Sequence, residues 1–280
     1  MSLLARPTLQ PGNGNMPKLV LSAADGARAE IYLHGAHLTS WMPAGGGEAL
    51  FLSPKAEFVP GSAIRGGVPV IFPQFSDRGP LPKHGFARTM AWEPVASPPN
   101  QAVLRLATSQ ATLAMWPFPF GLEYTVKIGG NRLEMSLKVS NPDTTPFDFT
   151  AALHTYLRVT DLNLTSVWGL QGLWLTDSAS QNREAIQKDE WIDFPGEVDR
   201  IYSKAVKPLQ VMQEERKTRL EQKGFTDVVI WNPGPEKCAA LKDMEPLGYR
   251  EFVCVEAAAV EKPVRLAPGR TWTGSQTITV

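Results

Sequence analysis

Prolines and glycines interrupt this chain so often that a regular series of strands and crossover helices has no room in it. There are 24 prolines and 23 glycines among 280 residues, and both residue types end or bend regular elements. Between them lie short runs with the composition and two-residue period of strands. In the first half these are KLVLSAAD (18–25), RAEIYL (28–33), HLTSWM (37–42), ALFLS (49–53), VLRLATS (103–109) and LEYTVKI (122–128). RLEMSLKVS (132–140), FDFTAALHTYLRV (147–159), DVVIW (227–231), EFVCVE (251–256) and GSQTITV (274–280) follow. The sharpest signal is the hairpin LEYTVKI-GGN-RLEMSLKV, where Gly129, Gly130 and Asn131 supply the positive φ of a tight connection. Leu133, Met135, Leu137 and Val139 fall on one face of its second strand, and Glu134, Ser136 and Lys138 on the other. MQEERKTRLEQKG (212–224) has the composition of a helix and equally that of a polar exposed strand.

The expectation is an all-β protein, a large β-sandwich of two sheets formed by one domain over 17–280. A loose N-terminal arm rich in Pro, Gly and Asn, residues 1–16, would precede it. A hydrophobic share of 43% supports a sizeable core. Lys plus Arg and Asp plus Glu both number 28, so no overall field draws the chain to nucleic acid or an acidic membrane, and anion binding has to be local. Cys238 and Cys254 form neither a disulfide framework nor a zinc spacing, which fits a reduced cytoplasmic protein. The first residues lack the apolar run of a signal peptide, and no stretch approaches the ~20 apolar residues of a membrane helix.

Several segments carry residues suited to chemistry, each with a plainer reading beside it. In IRGGVPVIFPQF (64–75), glycines after Arg65 let a backbone approach a ligand that the guanidinium could clamp; an exposed turn reads the same way. LPKHGFAR (81–88) adds Lys83, His84 and Arg88, so four donors gather between residues 65 and 88 of a neutral chain. FTAALHTYLRV sends His154, Tyr156, Ala152 and Arg158 to one strand face, either a functional face or an outward one. In EFVCVEAAA, Glu256 shares a face with Phe252 and Cys254, and a carboxyl in apolar surroundings has a raised pKa suited to a general base; a strand-end glutamate in water is the plain alternative. Asp199 beside Arg200 reads as a surface ion pair. Trp116, Phe118 and Phe120 could floor a sugar site or fill the core. His34 and His37, three apart in a strand-like run, point to opposite faces, so no metal site is expected there. No nucleophile elbow, phosphate-binding loop, dinucleotide fingerprint or HExxH motif is present.

Taken in order, RGGVPVIFPQF, LPKHGFAR, ALHTYL, EVDRIY, VVIWNP and FVCVE resemble the glucose-6-phosphate 1-epimerases, hexose-6-phosphate mutarotases of the aldose 1-epimerase superfamily. The closing LAPGRTWTGSQTITV is similar as well, so the resemblance runs from about residue 18 to the C-terminus. It implies a β-supersandwich with a cleft on one sheet face, His154 as general acid and Glu256 as general base. It also implies Asp199 and His84 on the sugar hydroxyls or ring oxygen, and Arg65 and Arg88 on the 6-phosphate. Lys83 stands where such proteins often carry a substrate-contacting Gln, and FVCVEAAA lacks a Pro or Gly soon after the glutamate. The implied reaction exchanges α and β anomers of a hexose 6-phosphate with no cofactor and no metal, in a monomer acting on a small sugar phosphate. His154 would be protonated as acid, as an ordinary imidazole pKa permits. An aldose 1-epimerase for unphosphorylated sugars and a non-catalytic sugar-binding sandwich are the rival readings.

Overall fold

The hairpin at Gly129–Arg132 forms as its turn residues dictate: strands Gly121–Gly129 and Arg132–Ser140 pair antiparallel with Leu122 opposite Val139 and Ile128 opposite Leu133. The computed structural model describes residues 8–214 and 216–280. Within them the strands form a four-stranded, an eight-stranded and a nine-stranded sheet, and two short α-helices occupy Gln110–Met115 and Gly234–Ala240. The hairpin lies in the nine-stranded sheet. The eight-stranded sheet runs in the spatial order Arg183–Ile186, Trp174–Asp177, Val198–Tyr202, Asp227–Asn232, Phe252–Leu266, Phe147–Leu153 and Val70–Ile71, with Tyr156–Arg158 also paired to Phe252–Leu266.

Alternation assigns the faces. Leu133, Met135, Leu137 and Val139 of one large sheet meet Val253, Val255, Ala257 and Ala259 of the other in a single buried cluster. Each fully buried aliphatic side chain of the size of Leu contributes roughly 1.5–3 kcal/mol, so this interior fixes which way every second residue points. The residues in between on the eight-stranded sheet, among them Ala152, Ile201, Val229 and Ala258, form a separate apolar patch on its opposite face. The large β-sandwich expected from the sequence is what the chain builds.

Four local expectations change. The stretch ALFLS is not a strand, because its backbone partners are scattered: Leu50 and Leu52 make isolated bridges to Leu157 and Gly66, and the Glu48 carboxylate accepts from the Leu50 N–H. FDFTAALHTYLRV is two strands, Phe147–Leu153 and Tyr156–Arg158. The ambiguous 212–224 segment belongs to strands, Leu209–Met212 pairing with Lys217–Lys223, where Thr218 and Leu220 are buried between polar neighbours. Of residues 1–16, those from 8 onward include strand Thr8–Pro11, which pairs with Pro17–Ser22 and so is tied to a sheet edge by its ladder; residues 1–7 lie outside the described residues. Among the described residues, no helix is long and apolar enough to cross a membrane.

Candidate active site

Register brings together what the sequence holds apart. Leu153 pairs with Ala257 and Tyr156 with Cys254, so the two residues between them place His154 directly opposite Glu256. Directly opposed side chains on one sheet face touch, and His154 Nε2 lies 3.4 Å from Glu256 Oε1. Two devices hold that register. Buried Thr155, pointing into the sandwich, donates to Gln276 Oε1 at 2.6 Å, and Gln276 Nε2 donates to the Val255 carbonyl at 3.0 Å. Further along, the pairing shifts between Phe149 and Ala151, and Asp227 Oδ2 accepts from the N–H groups of Val260 and Glu261 at 2.9 Å each, satisfying the displaced backbone.

The pair opens onto a cavity of about 470 Å³ on the outer face of the eight-stranded sheet, the size of a small-molecule site. All seven site residues expected from the sequence line it: Arg65, Lys83 and His84 from loops, Arg88 from the short 3-10 turn Ala87–Thr89, His154 from the junction of two strands, and Asp199 and Glu256 from strands. Asp199 and Ile201 alternate with Arg200, which turns away and pairs with Asp177 at 3.0 Å. The expected Asp199–Arg200 ion pair is therefore not made, because adjacent strand residues face opposite ways.

Burial sets the protonation of this site. Glu256 is 1% exposed; desolvation, reinforced by Asp199, holds its carboxyl well above the ordinary range, while Arg88 opposes that shift. His154 is pushed well below its ordinary value by desolvation, then by His84, Arg88 and Arg65. His154 Nδ1 and Glu256 Oε2 are buried with no side-chain or backbone partner in hydrogen-bond geometry, so desolvation outweighs what favours either charged form. Burial thus favours the neutral forms of both the imidazole and the carboxyl. His84 is likewise neutral, its pKa lowered to about 2 by desolvation and by Arg88, Lys83 and Arg65. The Ser76 N–H donates to His84 Nδ1 at 3.3 Å, which assigns the proton to Nε2 and makes that atom a donor.

The cations differ in how free they are. Arg65 Nε pairs with Asp243 Oδ2 at 3.0 Å and Nη1 donates to the Tyr156 hydroxyl at 3.2 Å. Burial works against its charge, yet Tyr156 and Asp243 hold the guanidinium above its ordinary value. Gly66 and Gly67 follow at φ 105° and 60°; a Cβ there would collide with the carbonyl oxygens of Phe51 and Leu38. Only glycine lets this loop pass so close, and His37 Nε2 secures it by donating to the Gly66 carbonyl at 2.7 Å. Arg88 Nη2 donates to the Lys83 carbonyl at 2.9 Å, its Nε is buried without a partner, and among the described residues no carboxylate pairs with it. Lys83 is exposed and lies 3.8 Å from Asp77.

The sequence reading missed Tyr156, Trp231 and Asp243. Tyr156 was placed on the correct face by period-2 alternation, but nothing in the sequence ties it to Arg65. Trp116, Phe118 and Phe120 do not line the cavity: they pack with Phe72 and Phe147 in or against the core, and Phe75, Tyr156 and Trp231 are the aromatic side chains that line it. His34 and His37 each bond a backbone carbonyl, Ser62 and Gly66.

A cleft on one face of a β-sandwich thus holds a carboxyl and an imidazole directly opposed. Residues 17–279 match the aldose 1-epimerase family model, and the chain belongs to that family. Among its relatives are two assigned as glucose-6-phosphate 1-epimerases. One from Cenchrus ciliaris is 37% identical over 92% of this chain and 83% of its own; one from Escherichia coli K12 is 36% identical over 86% and 85%. The crystal structure of a protein assigned as a mutarotase from Salmonella typhimurium superposes with a TM-score of 0.89 at 31% identity, covering 99% of this chain and 94% of that one.

Proposed function

We propose that this protein interconverts the α and β anomers of a hexose 6-phosphate, glucose 6-phosphate first among them. The observation that carries the reading is the opposition of His154 and Glu256 at 3.4 Å in a cavity that also holds Arg88, a guanidinium that pairs with no carboxylate among the described residues. The two oxygens of a hemiacetal share one carbon, so side chains this close together can each address one of them.

The neutral pair and the carboxylate–imidazolium pair differ only in where one proton sits. The carboxylate–imidazolium form is the reactive one, reached when the proton passes from Glu256 to His154. Glu256 then removes the proton of the C1 hydroxyl while His154 protonates the ring oxygen, and the ring opens to the aldehyde. After rotation about C1–C2 the same two groups act in reverse on the other carbonyl face. Each positioned proton transfer contributes typically ~10²–10⁴-fold. His84 Nε2–H and Asp199 hold sugar oxygens, and Arg65, Arg88 and Lys83 receive the phosphate, which supplies binding and orientation.

Exchange NMR between the anomers of glucose 6-phosphate, with and without the protein, tests this. Acceleration with glucose 6-phosphate well beyond that with glucose is expected. Equal acceleration of both would make the protein an epimerase of free aldoses, and no acceleration of either would overturn the assignment.

A further inference from the structure

We propose that Tyr156 is a positioning residue that ties phosphate recognition to the acid–base pair: its hydroxyl holds Arg65 and its ring holds the imidazole of His154. The proposal rests on the phosphate reading of the site. Tyr156 is buried, and its ring lies 4.8 Å from that of His154 at an interplanar angle of 10°, a face-to-face contact. Its hydroxyl accepts from Arg65 Nη1 at 3.2 Å, while Asp243 takes Arg65 Nε at 3.0 Å.

The ring has no freedom to swing. Phe252 packs at 5.0 Å and Trp231 stands edge-on at 5.9 Å, so one rigid side chain fixes two functional groups at once. The imidazole needs such a support. A catalytic histidine is commonly oriented by a hydrogen bond to its second ring nitrogen, but His154 Nδ1 has no partner. Its plane is set by the face of Tyr156 and by the edge contacts of Trp231 and His84, each 5.7 Å away. A displaced arginine and a tilted imidazole are therefore linked errors, because both lean on the same phenol.

Two variants separate the halves of this role. Tyr156→Phe keeps the ring and its packing and removes only the acceptor for Arg65. KM for glucose 6-phosphate should rise about tenfold, the low end expected for a hydrogen bond to a charged group, with KM for glucose unchanged. The dissociation constant for inorganic phosphate, followed by NMR, should rise by a similar factor. Tyr156→Leu removes the ring, and kcat should fall on the order of 10²-fold with either sugar, as misplacement of a reacting group by an ångström does. An unchanged KM and phosphate affinity in Tyr156→Phe, or an equal rise in KM for both sugars, would overturn the link to Arg65. A folded Tyr156→Leu with undiminished kcat would overturn the support of His154. Failure of the wild-type protein to accelerate glucose 6-phosphate exchange would instead sink the functional reading, and the inorganic phosphate titration still reads the Tyr156–Arg65 contact in that case.

Discussion

His154 and Glu256 face each other across two antiparallel strands, imidazole nitrogen to carboxyl oxygen at 3.4 Å, and neither has a partner for its other polar atom. With no other hydrogen bond to break, a proton can move between the two groups without rearranging their neighbours, and this makes the pair sensitive to whatever charge arrives beside it.

Glu256→Gln keeps the shape of the side chain and removes the base. Anomer exchange should fall by ~10²–10⁴-fold in exchange NMR. Because burial disfavours the charged form of this carboxyl, an uncharged amide of the same shape should not lower the thermal midpoint. A variant with full activity would remove Glu256 from the chemistry.

Arg88→Ala should raise KM for hexose 6-phosphates by about 10- to 100-fold, as the loss of a charge-assisted hydrogen bond worth roughly 1.5–3 kcal/mol implies. KM for free hexoses should change little. Lys83→Gln should alter KM by no more than about threefold, since the exposed Lys83–Asp77 pair at 3.8 Å marks a solvated, screened cation. Saturation kinetics on glucose and glucose 6-phosphate check both.

Stability of the empty protein should decline as the pH falls below about 6.5, the ordinary histidine pKa. His37 and His84 have folded-state values lowered to about 3 and about 2 by burial, and His154 is lowered too. In this window the unfolded chain takes up protons that the folded one does not, so unfolding is favoured by up to about 1.4 kcal/mol per pH unit for each such group. His84→Asn should flatten the acid limb of a denaturation series. Glu256 acts with the opposite sign: its raised pKa costs stability as the pH rises above the usual carboxylate range, and Glu256→Gln should remove that loss.

Gly67→Ala should destabilise the fold by roughly 1–3 kcal/mol, the usual size of a strained left-handed residue. At φ 60° its new Cβ would meet the Leu38 carbonyl. For a chain of this size, thermal unfolding should show a drop on the order of 2–4 °C per kcal/mol.

Much of the molecule was legible in the amino-acid order because strand alternation is a local property. The clean hydrophobic period of Leu133–Val139 and the positive-φ residues Gly129–Asn131 specify a hairpin without outside help. The faces of His154 and Glu256 followed from the same period, while a phosphate role for Arg65 and Arg88 came only from the family resemblance. What stayed hidden depends on contacts between distant segments. The 212–224 segment, polar all round, carries no period strong enough to tell helix from strand, and only pairing with a neighbour decides it.

The sequence by itself determined that the chain is a β-sandwich and which residues stand on its polar face, since turn chemistry and side-chain period act over a few residues. Tertiary structure alone decided that His154 opposes Glu256, that Tyr156 contacts both His154 and Arg65, and that burial works against the charged form of each member of the pair. Those outcomes hang on register, burial and neighbouring charge, and none of the three exists until the strands have met.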